Sequence, residues 1–493
     1  MDRHQRTPSI LLCILFILSY PIMISNDSFS GSLTPEGWKE EALQSITAID
    51  LPINYTDDWD QACSSVIVTG NATKDGRAIL MKNRDLPEDP VNIPVYVPAT
   101  FNSYAFVGVN TNTMGINEKG LAVMNTYLPA LAGSEPIEGN LRLNQMILEK
   151  YESVSEVAYD LNNSYSLIGP VYRANLGSVA TCIGVIDRFG AGAFFEVSDT
   201  KAYVQYVIDG YDSRANHPRI FPGAASEPSG RDQYLLDVLD EVYNENSYIS
   251  PEHVMQNVSR YVHHKELGSV NFSIDGEACN PRTVASMVAV SGDERYGGVL
   301  NCMWTACGSN PIVGVYVPSM ACAEFIPESI QNLWTHTSAK YRSARAESNP
   351  PEGLLYPERV REVQQYAFFA ESFTVDAYEQ LMSSVLEGLS EQEIRNTIHM
   401  FIEEMDDYAS EIFIEERTDI EAPLPITFPT PVTITPSLPT SPTSTTSTTY
   451  TTPSPTSSTS ESLFDDTMLL LTVGLVSGFS LMMIIALIQR RYT

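Results

Sequence analysis

Short apolar runs divided by turn residues characterise the first two thirds of the body of this chain. Two of these runs are joined at 71–76 by a segment that ends in Asp75-Gly76, a pair that marks a tight hairpin turn. A second turn, at 117–120, ends in Gly120, where a positive φ is expected. Such runs predict strands at 64–69, 78–82, 104–109, 114–116, 121–124, 181–186, 193–197 and 201–207. Their succession indicates a β-meander.

Helical periodicity appears between the strands and then replaces them. Apolar residues at helical spacing predict helices at 141–159, 233–243, 375–389 and 392–408. Strand-like runs return at 284–290 and 311–317. Pro357 suits the first position of a helix, and no repeat of about 20 to 50 residues of the kind that solenoids need is present. The pattern predicts a layered α+β body with a helical C-terminal portion from about residue 356.

The two ends of the chain indicate export and anchoring. Residues 1–25 place Arg3 and Arg6 ahead of an apolar run, which is typical of a signal peptide. Residues 468–488 form an almost wholly apolar stretch, preceded by acidic residues and followed by Arg490 and Arg491. This predicts one transmembrane helix with a cytoplasmic tail at 489–493 and the body of the protein outside the cell membrane.

The segment between the body and the membrane is dominated by Pro, Thr and Ser at 423–462. Such a composition buries too little apolar surface to offset chain entropy and is typical of extended stalks. Residues 26–62 are predicted to form a propeptide-like segment, which leaves 63–422 as the folded body. Six Asn-x-Ser/Thr sequons agree with an exported protein, at Asn26, Asn54, Asn71, Asn162, Asn257 and Asn271.

Charge and motifs exclude several classes of function. The net charge of −32 argues against a nucleic-acid partner. The chain has no Gly-x-Ser-x-Gly elbow, phosphate-binding Gly-Lys-Ser/Thr loop, His-Glu-x-x-His or Cys-x-x-Cys. The adjacent His263 and His264 would point in different directions on a helix, so neither a metal site nor another cofactor is predicted.

Seven cysteines are present, and Cys13 lies in the signal segment. Besides Cys63, five remain, at Cys182, Cys279, Cys302, Cys307 and Cys322. In an oxidising compartment one or two disulfides among these five would be ordinary, and an odd number leaves at least one thiol unpaired.

Cys63 opens the first predicted strand and is the leading candidate for chemistry. If the Ala62–Cys63 bond is cut, the thiol shares one residue with a free α-amine. That amine has an unperturbed pKa of about 7.7 to 8.0, close enough to neutral to take the thiol proton and later return it. The competing interpretation is a small buried hydrophobe entering an apolar strand.

Five motifs in order carry a family resemblance. They are Cys63-Ser64-Ser65, the turn at 72–76, Lys82-Asn83-Arg84-Asp85, the segment 115–122 and Asn216-His217-Pro218. Together they resemble the linear amide C–N hydrolases of the N-terminal nucleophile superfamily, which include choloylglycine hydrolases, penicillin V acylases, related acyltransferases and Cys-type dipeptidases. The resemblance implies a four-layer αββα sandwich and covers most of 63–318.

The resemblance also implies roles for the residues at the start of the body. Cys63 would be the nucleophile, exposed by autocatalytic cleavage, with its own α-amine as base. Asp85 would hold that amine and favour its charged form. Lys82 stands where the bile-salt and penicillin V enzymes have Arg, which keeps a cation but not the planar fork of donors.

Three later positions complete the implied site. Asn216 would donate its side-chain amide to the developing oxyanion. Tyr127 falls where family members supply a second donor from the backbone. Arg282 is the nearest candidate in chain order for the family's later arginine, although the local alignment places Met287 there.

The expected activity is cleavage of linear amides by a hydrolase displayed on the cell surface. The small-molecule amide could be an N-acyl amide or a dipeptide, because the run 301–306 is similar to the dipeptidase branch. Acyl transfer to an added amine is an open alternative, since a thioester can be intercepted by nucleophiles other than water. A non-catalytic stalked adhesion or receptor protein is the competing class, and the oligomeric state is open.

Overall fold

The computed structural model describes residues 63–86, 91–109, 114–128, 140–163, 181–197, 202–221, 227–228, 230–262, 278–292, 294–308, 310–344, 357–384 and 389–417. All of them belong to the first of two compact units, Met1–Val432. The predicted signal peptide, propeptide-like segment, stalk, membrane-spanning helix and tail lie outside these residues. Within the described ranges, no helix combines the length and the apolar character needed to cross a membrane.

The described residues form thirteen strands in two antiparallel sheets. The strands are β1 Cys63–Gly70, β2 Gly76–Asp85, β3 Pro94–Val97, β4 Phe106–Val109, β5 Met114–Asn117, β6 Ala122–Tyr127, β7 Thr181–Ile186, β8 Gly192–Val197, β9 Ala202–Val207, β10 Tyr211–Arg214, β11 Thr283–Val290, β12 Cys302–Cys307 and β13 Val315–Ser319. One sheet has the order β10-β1-β2-β11-β12-β13, and the other runs from β3 to β9 in sequence order. The second sheet is a meander and contains the strands predicted between 104 and 207, whereas the first two predicted strands, at 64–69 and 78–82, lie in the six-stranded sheet.

Six longer helices accompany the sheets in the described part of the chain. They are α1 Asn140–Lys150, α2 Val154–Asn163, α3 Arg231–Asn246, α4 Ser329–Ala344, α5 Pro357–Ser383 and α6 Glu391–Ile414. A helical turn at Pro251–His253 continues as the π-helical turn Val254–Val258, and 3₁₀ turns occur at Glu294–Tyr296 and Ala321–Ala323. The prediction of a mixed α+β body with a helical C-terminal portion is confirmed.

Side-chain alternation along the strands produces the layers. Successive residues of a strand point to opposite faces, so Val66 packs with the helices outside the six-stranded sheet while Ile67 packs between the two sheets. Leu80 of β2 and Ile116 of β5 meet in the same inter-sheet core. Burial of each such side chain contributes about 1.5–3 kcal/mol.

Helices cover the outer face of each sheet. Residues of α3, α5 and α6 pack on the six-stranded sheet around Trp304 and Tyr378. Residues of α1 and α2 pack on the seven-stranded sheet, with Ile147 and Val157 against Phe195. The order of packing is therefore helices, six-stranded sheet, seven-stranded sheet, helices.

Some predicted elements are corrected by the structure. The helix predicted at 141–159 is two helices, because Ser153 caps α2 by accepting a hydrogen bond from the Glu156 N–H at 3.2 Å. The strand predicted at 311–317 begins only at Val315, since residues 311–313 form a turn. Of the helix predicted at 375–389, residues 375–383 form the last part of the longer α5. The sequence pattern did not predict four of the observed elements, which are β3, β10, β12 and α4.

The expected disulfides are absent among the described cysteines. No two of Cys63, Cys182, Cys279, Cys302, Cys307 and Cys322 are joined, and all six are buried. Cys182 lies between the sheets and Cys302 on the helix-covered face, so these thiols pack as small apolar side chains in different layers.

Candidate active site

Strand ends converge at one end of the six-stranded sheet. β1 begins at Cys63, which pairs with Arg84 of β2, and Asp85 at the end of β2 pairs with Thr283 at the start of β11. β10 ends beside β1, because Arg214 pairs with Ser65. Antiparallel pairing thus brings the start of two strands and the end of two others together, and loops can add side chains to this edge.

Cys63 is held at its main-chain nitrogen. The Cys63 N–H donates to Asn216 Oδ1 at 2.6 Å, and Asn216 Nδ2 donates to the Tyr127 carbonyl at 2.8 Å. The Thr126 hydroxyl donates to the Ala215 carbonyl at 3.2 Å and anchors the segment that carries Asn216. The Asn216 carboxamide is therefore fixed from both sides, between the first residue of β1 and the last residue of β6.

Asp85 is a buried carboxylate with three donors. Asp85 Oδ2 accepts from Arg231 at 3.0 Å and from Asn280 Nδ2 at 2.7 Å, and Oδ1 accepts from the Thr283 hydroxyl at 2.6 Å. Burial raises the pKa of Asp85, and the Arg231 charge and the Thr283 and Asn280 hydrogen bonds oppose that rise. The carboxylate is rigidly placed, and its ionised form is compensated.

Arg231, the first residue of α3, links the two halves of the site. One arm of its guanidinium donates to Asp85, and the other donates to Asn216 Oδ1 at 3.1 Å. The side chain is buried, at 5% exposure. Asp85 is thus connected to the Cys63 nitrogen through Arg231 and Asn216, a route that fixes the geometry of all four groups.

Lys82 is a buried cation on the same strand pair. Lys82 Nζ donates to Asn125 Oδ1 at 3.4 Å, and Asn144 Nδ2 donates to the same oxygen at 3.1 Å. Burial lowers the pKa of Lys82 to about 8; the charges of Cys63 and Asp85 act in the opposite direction. At 1% exposure, its ammonium is removed from water and held next to the polar ends of β6 and β7.

The structure brings most of the residues predicted from sequence to one place. Cys63 and Asn216 are in direct contact, Asp85 joins them through Arg231, and Tyr127 contributes its carbonyl. Lys82 lies on β2, three residues before Asp85. Their catalytic roles stay predictions.

Arg282 lies in the segment that joins Asn280 to Thr283, and its role as the family's later arginine stays a prediction. Its N–H donates to Asn280 Oδ1 at 2.8 Å, its carbonyl accepts from the Leu86 N–H at 2.9 Å, and the residue is half-buried. The guanidinium on Asp85 belongs to Arg231, which had no motif to mark it. Asn280 and Thr283 also donate to Asp85. They lie in the same short stretch of sequence as Arg282, but no motif marks them as site residues.

Metal binding has no site in the described part of the chain. Across those residues, no group of three or more His, Cys, Asp or Glu side chains could hold a metal ion. The site consists of a thiol, a carboxylate, two basic side chains, amides and the Thr283 hydroxyl.

Comparison with solved structures gives matches to hydrolases at low sequence identity and low TM-score. A mutant of the conjugated bile acid hydrolase from Clostridium perfringens is 15% identical, with a TM-score of 0.34, and the match covers 49% of this chain and 88% of that one. A second variant of that enzyme matches at 14% identity and a TM-score of 0.32, over the same shares. The penicillin V acylase from Agrobacterium tumefaciens is 14% identical, with a TM-score of 0.26, over 52% of this chain and 86% of that one.

Both enzymes are of the kinds that the sequence motifs resemble. No protein-family model matches the chain, and no curated protein matches it.

Proposed function

We propose that this chain is a cysteine hydrolase of linear amides that uses Cys63 as an N-terminal nucleophile on an αββα scaffold. The observation that carries the proposal is the 2.6 Å hydrogen bond from the Cys63 nitrogen to Asn216, within a buried set of polar groups. A structural cysteine has no need of a side-chain acceptor aimed at its own main-chain nitrogen. An N-terminal nucleophile does, because that nitrogen becomes its base.

Cleavage at Ala62–Cys63 would turn the nitrogen from an amide into an amine. Asn216 Oδ1 already accepts a hydrogen bond at that position, so the amine would stay oriented beside its own thiol. The amine takes the thiol proton, and the thiolate attacks the substrate carbonyl carbon. The C–N bond then breaks, the leaving amine takes the proton from the α-ammonium, and water hydrolyses the thioester and regenerates the thiol.

The tetrahedral intermediate requires donors for its oxyanion. Asn216 Nδ2 carries two N–H groups, of which one donates to the Tyr127 carbonyl, and we assign the second to the oxyanion. Loss of one such donor typically costs about 10² to 10³ in rate. Arg231 and Asp85 act as positioning residues, because Arg231 holds Asn216, Asp85 holds Arg231, and neither touches a reacting atom.

The site is proposed to work outside the cell. The predicted signal peptide at 1–25, stalk at 423–462 and spanning helix at 468–488 support a single-pass surface enzyme with the body extracellular. Its proposed partners are a small-molecule amide and the membrane that holds its C-terminal helix.

Intact mass and N-terminal sequencing of the mature protein test the proposal directly. We expect the active chain to begin at Cys63, and Cys63→Ala to be both uncut and inactive. Activity in a folded chain whose Ala62–Cys63 bond is intact would contradict the mechanism. A comparison of N-acyl amides with free dipeptides as substrates then identifies the substrate class. If the cleaved wild-type protein hydrolyses neither, the non-catalytic receptor alternative is favoured.

A further inference from the structure

The uncut chain poses a chemical problem that the mature enzyme does not have. Before cleavage, the Cys63 nitrogen belongs to a peptide bond and donates its only hydrogen to Asn216. A peptide nitrogen is not a base, so the thiol cannot be activated by its own residue. Self-cleavage at Ala62–Cys63 therefore requires a base from elsewhere in the fold.

The pairing of β1 with β2 places a candidate next to the thiol. Cys63 pairs with Arg84, and Ser65 pairs with Lys82. Residues directly opposite each other in an antiparallel pair point to the same face, so Cys63, Lys82 and Arg84 share one face of the sheet. The diagonal separation of such positions is about 7–8 Å between Cα atoms, within reach of a long side chain.

That face is turned toward the second sheet and away from water. Lys82 Nζ contacts Asn125 of β6, and the same face of β1 and β2 continues into the inter-sheet core through Ile67 and Leu80. An ammonium in this position loses hydration and faces a neutral amide oxygen. Burial accordingly lowers the pKa of Lys82 to about 8, so at pH 7.5 about a quarter of the side chains carry a neutral amine.

Two other titratable groups lie near the thiol. Arg84 interacts electrostatically with Cys63, but a guanidinium does not give up its proton in proteins. Asp85 is occupied by Arg231, Asn280 and Thr283. Lys82 is the group in this set that can accept a proton.

We propose that Lys82 is the general base for self-cleavage of the Ala62–Cys63 bond, and that the new α-amine takes over this role once the bond is cut. The inference rests on the proposed function, since it assumes that Cys63 becomes the N-terminus. Lys82 Nζ takes the Cys63 thiol proton, and Sγ attacks the Ala62 carbonyl carbon. The C–N bond breaks as Lys82 returns the proton to the leaving nitrogen. Water then hydrolyses the Ala62 thioester and frees the thiol.

The test follows cleavage of the full-length chain over time by intact mass. Lys82→Arg keeps a cation but removes the base, and we expect it to slow cleavage at least about 100-fold. Lys74→Arg is the matched control, because Lys74 is exposed and paired with Glu379, and it should cleave like the wild type. Thermal unfolding shows whether each variant is folded. Cleavage of folded Lys82→Arg within about threefold of the wild type would overturn the proposal.

A second measurement needs no variant. The wild-type cleavage rate should rise about tenfold per pH unit at low pH and level off near pH 8, and a flat profile between pH 6 and 8 would also count against Lys82.

The proposed function is tested separately with a full-length chain that carries a site-specific protease site ending at residue 62. If the protease-cut wild type hydrolyses no amide, the enzyme assignment fails while the result on self-cleavage stands.

Discussion

At the scale of single residues, Arg231 has the contacts that organise the site. Its guanidinium reaches Asp85 and Asn216 with different arms, which a lysine ammonium cannot reproduce with the same geometry. We expect Arg231→Met to lower kcat of the mature enzyme about 100-fold and to destabilise the fold by about 3–5 kcal/mol, because the buried Asp85 carboxylate loses its salt-bridge partner and keeps only the Asn280 and Thr283 hydrogen bonds. Amide hydrolysis assays and thermal unfolding measure the two effects.

Arg282→Met is the matched control for this prediction. The guanidinium that contacts Asp85 and Asn216 is that of Arg231 and not that of the half-buried Arg282, so we expect kcat to change less than about threefold. The double variant Asp85→Asn/Arg231→Met should recover part of the lost stability without recovering activity. A larger loss of activity in Arg282→Met than in Arg231→Met would reverse the roles given to these two residues.

The sequence allowed only part of the site to be predicted, for reasons visible in these contacts. Cys63 and Asp85 lie in short motifs on adjacent strands, and Asn216 precedes a Pro-containing turn, so local sequence marks them. Arg231 reaches Asp85 across 146 positions in the chain, and nothing in its own neighbourhood distinguishes it from a surface arginine at a helix start. Only the tertiary fold pairs them.

At the scale of elements, the start of α3 controls the loop that carries Asn216. The first two residues of α3 each contact that loop: Arg231 bonds to Asn216, and Asp232 lies 3.0 Å from His217 Nε2. The helix has no side-chain cap, and Gly230 precedes it with φ 54° and ψ −125°, a conformation that is essentially restricted to glycine. The backbone at Gly230 therefore sets the direction in which Arg231 enters the site.

Gly230→Ala should be destabilising although there is room for a methyl group, since nothing lies within 4 Å of an added Cβ. The cause is backbone strain of about 1–3 kcal/mol, and we expect a loss of activity along with a lower unfolding temperature. Gly210→Ala is the control, because its φ is ordinary for L-residues and the nearest atom is 3.6 Å away. Equal unfolding temperatures for the two variants would show that strain at Gly230 is unimportant.

Elements with a clear period were predictable, and those stabilised by tertiary contacts were not. β7 was predicted with its observed bounds because its apolar run ends at the turn Asp187-Arg188-Phe189-Gly190. The sequence of β10, Tyr-Asp-Ser-Arg, is typical of a loop. In the fold, however, Arg214 is buried, and its guanidinium forms an ion pair with Asp212 and a hydrogen bond with Gln205. The sequence of such a strand lacks the apolar pattern from which strands are predicted, because its polar side chains are stabilised by partners that only the folded state provides.

At the scale of the whole molecule, the burial of the two described sequons predicts how readily each is glycosylated if the chain is exported as proposed. Asn71 is exposed at the β1–β2 turn. Asn257 is half-buried with its Oδ1 inaccessible, and the fully buried Ser259 of the same sequon bonds to the Met255 carbonyl. Glycopeptide mapping of protein secreted from eukaryotic cells should find higher glycan occupancy at Asn71 than at Asn257, because Asn71 is exposed whereas Asn257 is half-buried in a sequon whose Ser259 is fully buried. Equal or higher occupancy at Asn257 in the folded, secreted protein would contradict this expectation.

The packing of the C-terminal helices should make stability depend on pH through Asp406. This α6 residue is 3% exposed, and burial together with the neighbouring Asp407 raises its pKa to about 7. The unfolded chain has an Asp pKa of about 4, so the folded state binds the proton more tightly. Proton binding at Asp406 therefore adds up to about 4 kcal/mol to the free energy of unfolding below pH 4, and this contribution is lost as the pH rises to about 7.

Asp406→Asn removes this titration while keeping the shape of the side chain. The variant should unfold at a higher temperature than the wild type at pH 8, and the difference should shrink toward pH 5, where the wild-type carboxyl is already protonated. Asp407→Asn serves as the control, because Asp407 is exposed and acts on Asp406 only through its charge, so its effect should be smaller. Thermal unfolding from pH 5 to 8 measures both, and parallel curves for the wild type and Asp406→Asn would mean that this carboxyl is not protonated in the fold at neutral pH.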